Sequence, residues 1–347
     1  MPATSMVQLR KEVLPLVEGN SRVLILGQEG IGKAVFVSQF LDGKPSIHIP
    51  LRKVSLNPEN FAVEYVEASL SQFLKRKIVF ENAASLGLPD EAAGIVKAIG
   101  DELLKIKPDQ KTLVMKALSF PGALARGYNK TIFVWLEDAE ELLQLQNYAA
   151  LKQFFTDALD LMKEPCRYIL TSSAMVEMSA LFARAQFRII RFDPLSRDDA
   201  FLLMDSLAKL AAKEKEILYE RTNGVPQYIS LLLHDYKKGD DIQGLFTKAV
   251  QRNGSIHLFC SLVFERALSR ARGQTLLQAI LKTIAQSPPL SLSEIARKIY
   301  RPAPVAKALL ERLISVDIII KEGKKFHFAD PIMHEVLKVY FAMEELS

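Results

Sequence analysis

A chain of 347 residues, 49% hydrophobic and 24% charged, has ordinary globular composition and is long enough for two or three domains. Its 45 basic and 40 acidic residues leave a net charge of +5, an excess that permits a nucleic acid partner without requiring one. The N-terminus has no apolar signal core and no apolar run reaches the roughly 18 residues a membrane span needs, so a cytosolic, soluble protein with no membrane partner is expected.

Two cysteines, Cys166 and Cys260, sit in apolar surroundings without metal-ligand spacing, which predicts buried thiols in a reducing compartment. In chain order, residues 6–18 have the spacing of an amphipathic helix, with Val7, Leu9, Val13, Leu14 and Val17 toward the core and Gly19-Asn20 at its end. Residues 22–40, RVLILGQEGIGKAVFVSQF, then combine three signals. Val23 to Leu26 form a continuous apolar run, as in a strand buried on both faces of a parallel sheet. Gly27, Gly32 and Lys33 fit G-x-x-x-x-G-K with a further glycine at Gly30, and a partly buried helix follows. Glycines let backbone N–H groups converge on phosphate oxygens, a helix N-terminus adds positive potential, and the lysine adds a full charge. A Ser or Thr hydroxyl that would bind Mg²⁺ is expected after that lysine, yet the residue is Ala34. Nucleotide binding is therefore expected, with slow or absent hydrolysis.

Residues 46–51 predict a second short strand, and residues 58–127 read as helices over about 59–79, 89–107 and 109–119. Leu86-Gly87-Leu88-Pro89 and Phe120-Pro121-Gly122 are expected joints in this helical elaboration, whose basic residues are read as a solvated face. Residues 132–136 are a second buried strand, ending in Glu137 and Asp138. A phosphate-loop enzyme needs acids there, one to hold Mg²⁺ and one to orient or deprotonate the attacking water. The usual Asp-Glu order is reversed, and a displacement near 1 Å at such a site costs on the order of 10²-fold in rate. Residues 167–173 form a third strand, whose Thr171 and Ser172 are placed to sense a terminal phosphate. After a short strand at 188–192, Ser196 and Asp199 open a helix in the manner of a capped start. Strands alternating with helices predict an α/β domain with a parallel sheet.

Residues 196–272 read helical, broken at Thr222-Asn223-Gly224-Val225-Pro226, and predict a lid. Three apolar-stripe helices follow at 276–284, 292–299 and 305–314, then strand-like pieces at 317–321 and 325–328, the order of a winged helix-turn-helix. The expected division is an α/β domain over 1–195, a helical lid over 196–272 and a winged helix over 273–347.

These motifs, in this order, resemble the archaeal ATPase family, relatives of the STAND NTPases and of the AAA+ origin-recognition initiators. The resemblance covers nearly the whole chain and rests on GQEGIGKA at 27–34, FVWLEDAEEL at 133–142, YILTSS at 168–173, LFARAQFRIIRFDPLSRDDA at 181–200, RTNGVPQYI at 221–229 and the segment from ILKTIAQ to HFADPIMHEVL. It implies ATP or ADP held by Gly27, Gln28, Glu29, Gly30, Ile31, Gly32, Lys33 and Ala34, with Lys33 on the β- and γ-phosphates. It further implies Glu137 on the Mg²⁺ side and Asp138 beside the water, Pro226 near adenine, and Arg184 as a phosphate sensor or finger. Three departures, Ala34, the reversed acid pair and a missing F-x-D-R-E-x-E-L lead-in, point to a weakened ATPase.

The third C-terminal helix carries Lys307 and Arg312, Arg297, Lys298 and Arg301 precede it, and Lys321, Lys324 and Lys325 cluster in the wing. These could meet DNA phosphates, and the same module also serves for protein contact. His327 and His334 are too isolated to be read as metal ligands. Two functions remain open: a nucleotide-controlled switch with double-stranded DNA as effector, or a non-hydrolysing adaptor that binds a protein partner or itself.

Overall fold

The computed structural model describes residues 6–183, 185–271, 274–287 and 289–344. Its centre is a five-stranded parallel sheet made of β1 (Arg22–Leu26), β2 (Ser46–Pro50), β3 (Ile132–Glu137), β4 (Cys166–Ser172) and β5 (Arg188–Arg191). The spatial order is β2-β3-β4-β1-β5. The continuous apolar runs of β1 and β4 are buried on both faces, as their sequences predict.

Alternation along these strands feeds two cores. Leu24, Leu26, Val134 and Leu136 face one core, shared with the helices between β2 and β3. Val23, Ile25, Trp135 and Ile169 face the other, shared with the N-terminal segment and the helices after β5. Burying each such Leu, Ile or Val contributes roughly 1.5–3 kcal/mol relative to exposure.

The helical elaboration runs over Pro58–Leu74, Phe80–Ala83, Asp90–Leu103 and Gln110–Gly127. Asn57 and Asp109 cap the first and last of these by accepting backbone N–H bonds. The joint expected at Phe120-Pro121-Gly122 is not there, because Gln110–Gly127 passes through Pro121 without a break. A proline inside a helix costs about 3 kcal/mol, but residues 120–125 are all buried, and packing outweighs that cost. Conversely, the single helix expected over residues 6–18 is two, Met6–Leu9 and Leu14–Glu18. Pro15 lacks the N–H that would bond the carbonyl of Lys11, and its ring crowds that turn.

After β5 come five helices, Arg197–Leu207, Ala212–Thr222, Pro226–Asp235, Ile242–Val250 and Ser255–Ala271. Ser196 caps the first, its hydroxyl accepting from the Asp199 N–H at 3.2 Å. The break at 223–225 is held by Asn223 and Gly224, both at positive φ, before Pro226 restarts the helix.

Helices Gln274–Gln286, Leu292–Lys298 and Ala303–Ser315 precede a hairpin of β7 (Ile319–Glu322) and β8 (Lys325–Phe328). A two-residue strand β6 (Leu290–Ser291) pairs with β8, and helix Pro331–Glu344 ends the described chain. A third core fills this unit and takes in Phe264 and Leu268 from the end of helix Ser255–Ala271. Cys166 and Cys260 are both free and buried. Among the described residues, no helix is long and apolar enough to cross a membrane.

Candidate nucleotide site

Strand register brings the sequence signals to one edge of the sheet. Ile25 pairs with Thr171 and Leu26 with Ser172, while Glu137 meets Thr171 from the other side of β4. The loop beginning at Gly27, the acids at 137 and 138 and the hydroxyls at 171 and 172 therefore sit side by side at the carboxyl ends of the strands. Parallel α/β sheets bind their ligands there.

The loop leads into helix Lys33–Phe40, whose first-turn N–H groups have no intrahelical acceptors and favour an anion. Gly30 and Gly32 hold φ of +79° and +92°. A Cβ on Gly32 would lie 2.6 Å from Met6 Cε, and one on Gly30 2.6 Å from Gln227 Cβ. The positive φ of both residues requires glycine, and the N-terminal segment and helix Pro226–Asp235 both press on the loop. The Gln227 N–H also donates to the Gly30 carbonyl at 3.1 Å.

A cleft of about 340 Å³ opens at this place. Its lining mixes the charged Lys33, Glu137 and Asp138 with the apolar Met6, Leu9, Leu203, Leu207 and Pro226. That size and mixed lining are those of a small-molecule cleft. The buried Lys33 ammonium donates to the carbonyls of Gly27 at 2.5 Å and Gln28 at 3.0 Å. Burial lowers its pKa, against the pull of Glu29, Glu140 and Asp138.

The charge balance of the cleft turns on Arg52, in the short turn after β2. Its guanidinium donates to both Glu29 oxygens, at 2.8 and 3.3 Å, and lies 3.2 Å from Asp138 Oδ2. Glu141 and Glu140 stand at 3.7 and 3.8 Å. Burial alone would raise the Glu29 carboxyl, but the bonds and charge of Arg52, with Lys33 and Arg266 behind it, bring it down to about 2. Asp138 goes the other way. Burial, with Glu140, Glu29 and Glu137 nearby, pushes its carboxyl up to about 7 despite Arg52. The residue holds a left-handed backbone, φ 59°, at the strand end. Glu140 is buried, accepts from the Ser173 N–H and hydroxyl, and lies 3.4 Å from Arg270.

Glu137 is bound to His48 at 2.8 Å, and the His48 ring lies flat on Trp135 with centroids 3.7 Å apart. The Trp135 indole N–H in turn donates to Thr171 Oγ1 at 3.1 Å.

No protein-family model matches the sequence, and no curated protein is similar to it. The structure is similar to a Walker-type ATPase of Pyrococcus abyssi, with a TM-score of 0.69 at 18% identity over 97% of this chain and 98% of that one. It is also similar to the ORC2 protein of Aeropyrum pernix in its ADPNP and ADP complexes, with a TM-score of 0.57 at 11% identity over 99% and 96%. The chain has the P-loop NTPase fold.

Within that fold the P-loop residues Glu29, Gly30, Gly32, Lys33 and Ala34 line the cleft together with Glu137, Asp138, Thr171 and Pro226. Gly27 is packed beneath Phe192, whose carbonyl a Cβ would approach to 2.8 Å, Ile31 is fully buried, and Gln28 faces a neighbouring small cavity. Arg184 lies outside the described residues. P-loop NTPases hold Mg²⁺ through a loop hydroxyl and a strand-end Asp. Here the loop residue is Ala34, and the strand-end acid, Glu137, is hydrogen-bonded to His48. That donor set does not match a Mg²⁺ site.

The eight C-terminal cations lie away from the cleft, all on the exposed surface of the last unit. Lys307 pairs with Glu311 at 3.8 Å, and Lys298 reaches Ser287 Oγ at 3.3 Å. Sequence reasoning missed Arg52, Glu140, Arg266, Arg270 and His48. The signal it passed over was Glu29, since an acid within an anion-binding loop requires a cation beside it.

Proposed function

We propose that the protein is an ATP-binding switch of the AAA+/STAND kind, in which nucleotide held by residues 27–34 sets the relation between the sheet domain, the lid and the C-terminal unit. The observation that carries it is a run of three residues. Pro226 lines the cleft, Gln227 bonds the Gly30 carbonyl, and the Tyr228 hydroxyl donates to Asp330 Oδ2 of the C-terminal unit at 2.6 Å. A change at the loop therefore meets, within one helical turn, a contact that holds the last unit in place.

Hydrolysis by such a site is slow. Ala34 offers no metal ligand, and Glu137, the strand-end acid, is engaged by His48. The chain's own residues then do the work of binding: Lys33 and the loop N–H groups take the phosphates, Arg52 is the further cation within reach, and Pro226 with Met6 and Leu9 borders the base. The C-terminal unit is proposed as a winged helix, its exposed hairpin lysines available to duplex DNA.

Calorimetric titration of ATP and ADP tests the reading. The wild type should bind, and Lys33→Ala should weaken binding at least tenfold by removing the one cation the loop carries. Equal affinity in the two proteins would overturn it.

A further inference from the structure

A second concave surface lies across the edge of the sheet, outside the nucleotide cleft. It is a groove of about 960 Å³ between the turn after helix Lys33–Phe40, the end of helix Pro58–Leu74 and the end of helix Gln110–Gly127. Lys44, Lys75, Arg76, Lys77 and Lys130 line it, against the single acid Asp42.

Four of these five cations, Lys75, Arg76, Lys77 and Lys130, have no carboxylate partner among the described residues, and all four are exposed. Lys44 is turned onto Phe40, its ammonium 3.9 Å from the ring centroid and bonded to the Phe40 carbonyl. A helix C-terminus favours one or two basic residues through its dipole, which is reason enough for Lys75 or Arg76. It gives no reason for Lys130, brought from a separate element to the same groove, where mutual repulsion is a cost.

The local backbone fixes the basic run. Lys75 ends its helix at φ 53°, the Arg76 N–H returns to the Ser71 carbonyl at 3.1 Å, and the Ile78 N–H to Ser71 Oγ at 2.9 Å. Aromatic surface is present too. Tyr128 is exposed on the rim, its ring 5.1 Å from that of Phe73, and the stacked His48 and Trp135 form part of the wall.

Cations along a groove with exposed aromatic faces are how proteins hold single-stranded nucleic acid without reading its sequence. We propose that this groove binds a single strand, its phosphates on Lys75, Arg76, Lys77 and Lys130 and a base against Tyr128. The space holds a few nucleotides of one strand rather than a duplex. The groove's cations are distinct from those of the proposed winged helix and from Lys33 and Arg52 of the nucleotide cleft.

The test is fluorescence anisotropy of a labelled, mixed-sequence single-stranded 12-mer titrated with the full chain at several salt concentrations. Binding should be present at low salt and fall with salt at about 0.7 in log–log slope per phosphate contact. Arg76→Ala/Lys77→Ala/Lys130→Ala should weaken it at least tenfold and lower the slope by about 2. Tyr128→Ala should weaken it about fivefold or more, whereas Lys321→Ala/Lys324→Ala/Lys325→Ala should leave it unchanged. Each single replacement is measured as well, so a folding defect in the triple variant cannot hide the result. Undiminished affinity in the groove variants, or no binding at low salt, overturns the proposal. So does competition by unlabelled duplex or by poly-glutamate that equals competition by the unlabelled single strand, the latter pointing to an acidic protein segment.

Discussion

Arg52 and Asp138 show how one cleft sets two carboxyls apart. Glu29 receives both arms of the guanidinium and stays ionised to about 2, whereas Asp138, at the flank of the same guanidinium and among other acids, reaches about 7. The second shift has a measurable sign. An acid with a higher pKa in the folded than in the unfolded chain binds its proton more tightly when folded, so it favours folding at low pH. That advantage is lost as pH rises from about 4 through about 7 and is flat beyond. In metal-free buffer, Asp138→Asn should remove this dependence. Unfolding free energies across pH 4.5–8 should show the wild type losing stability relative to the variant by on the order of a few kcal/mol. Parallel profiles would mean that Asp138 is ionised throughout, as a strand-end base in an active ATPase would be.

At the scale of elements, the β7–β8 hairpin brings three exposed lysines, Lys321, Lys324 and Lys325, together. Glu322 opposes Lys325 across the ladder, Gly323 turns at φ 59°, and Lys324 stands at the tip. Helix Ala303–Ser315 offers few side chains able to pair with base edges, and its Lys307 is engaged with Glu311. Any duplex DNA affinity should therefore rest on phosphates. Lys321→Ala/Lys324→Ala/Lys325→Ala should lower it and reduce the salt slope by roughly one unit per lost contact, with little change between sequences. A duplex affinity that the triple change leaves intact would assign the hairpin to another task. The elements themselves were legible where the signal is local: the runs of β1 and β4, the Ser196 cap, the break at Asn223-Gly224 and the helix-to-hairpin order. Pro121 misled because packing decided the matter, and Pro15 because its apolar neighbours kept helical spacing across a break. The P-loop and the acids at 137 and 138 could be read from spacing alone. Arg52 could not, since it lies 23 residues from Glu29 and farther still from the acids that follow β3, to which the pairing of β2 with β3 brings it.

Over the whole molecule, the last helix is tied into the core shared with the N-terminal segment and the helices after β5. Ile332 and Val336 of the last helix belong to the core beneath the loop, and the Val176 N–H donates to Asp317 Oδ2 at 3.2 Å. A small cavity of about 80 Å³ lies among Glu29, Arg52, Phe259, Asp317 and Asp330, so every unit contributes to its wall. In this arrangement the groups that would take phosphate are already satisfied within the protein: Lys33 by the carbonyls of its own loop, and Arg52 by Glu29. The docked C-terminal unit and phosphate binding should then oppose each other, and linkage makes that opposition reciprocal. Tyr228→Phe removes the hydroxyl that holds Asp330 while keeping the ring in place. It should lower stability by about 1–3 kcal/mol, through a carboxylate deprived of its donor. It should also raise ATP affinity severalfold, because releasing the last unit loosens Gln227 from Gly30 and frees the loop to close on phosphate. Calorimetry of both proteins at one pH decides the matter. Unchanged or weaker binding in the variant would show that the interlock favours the phosphate-bound loop, and the direction of the switch would have to be reversed.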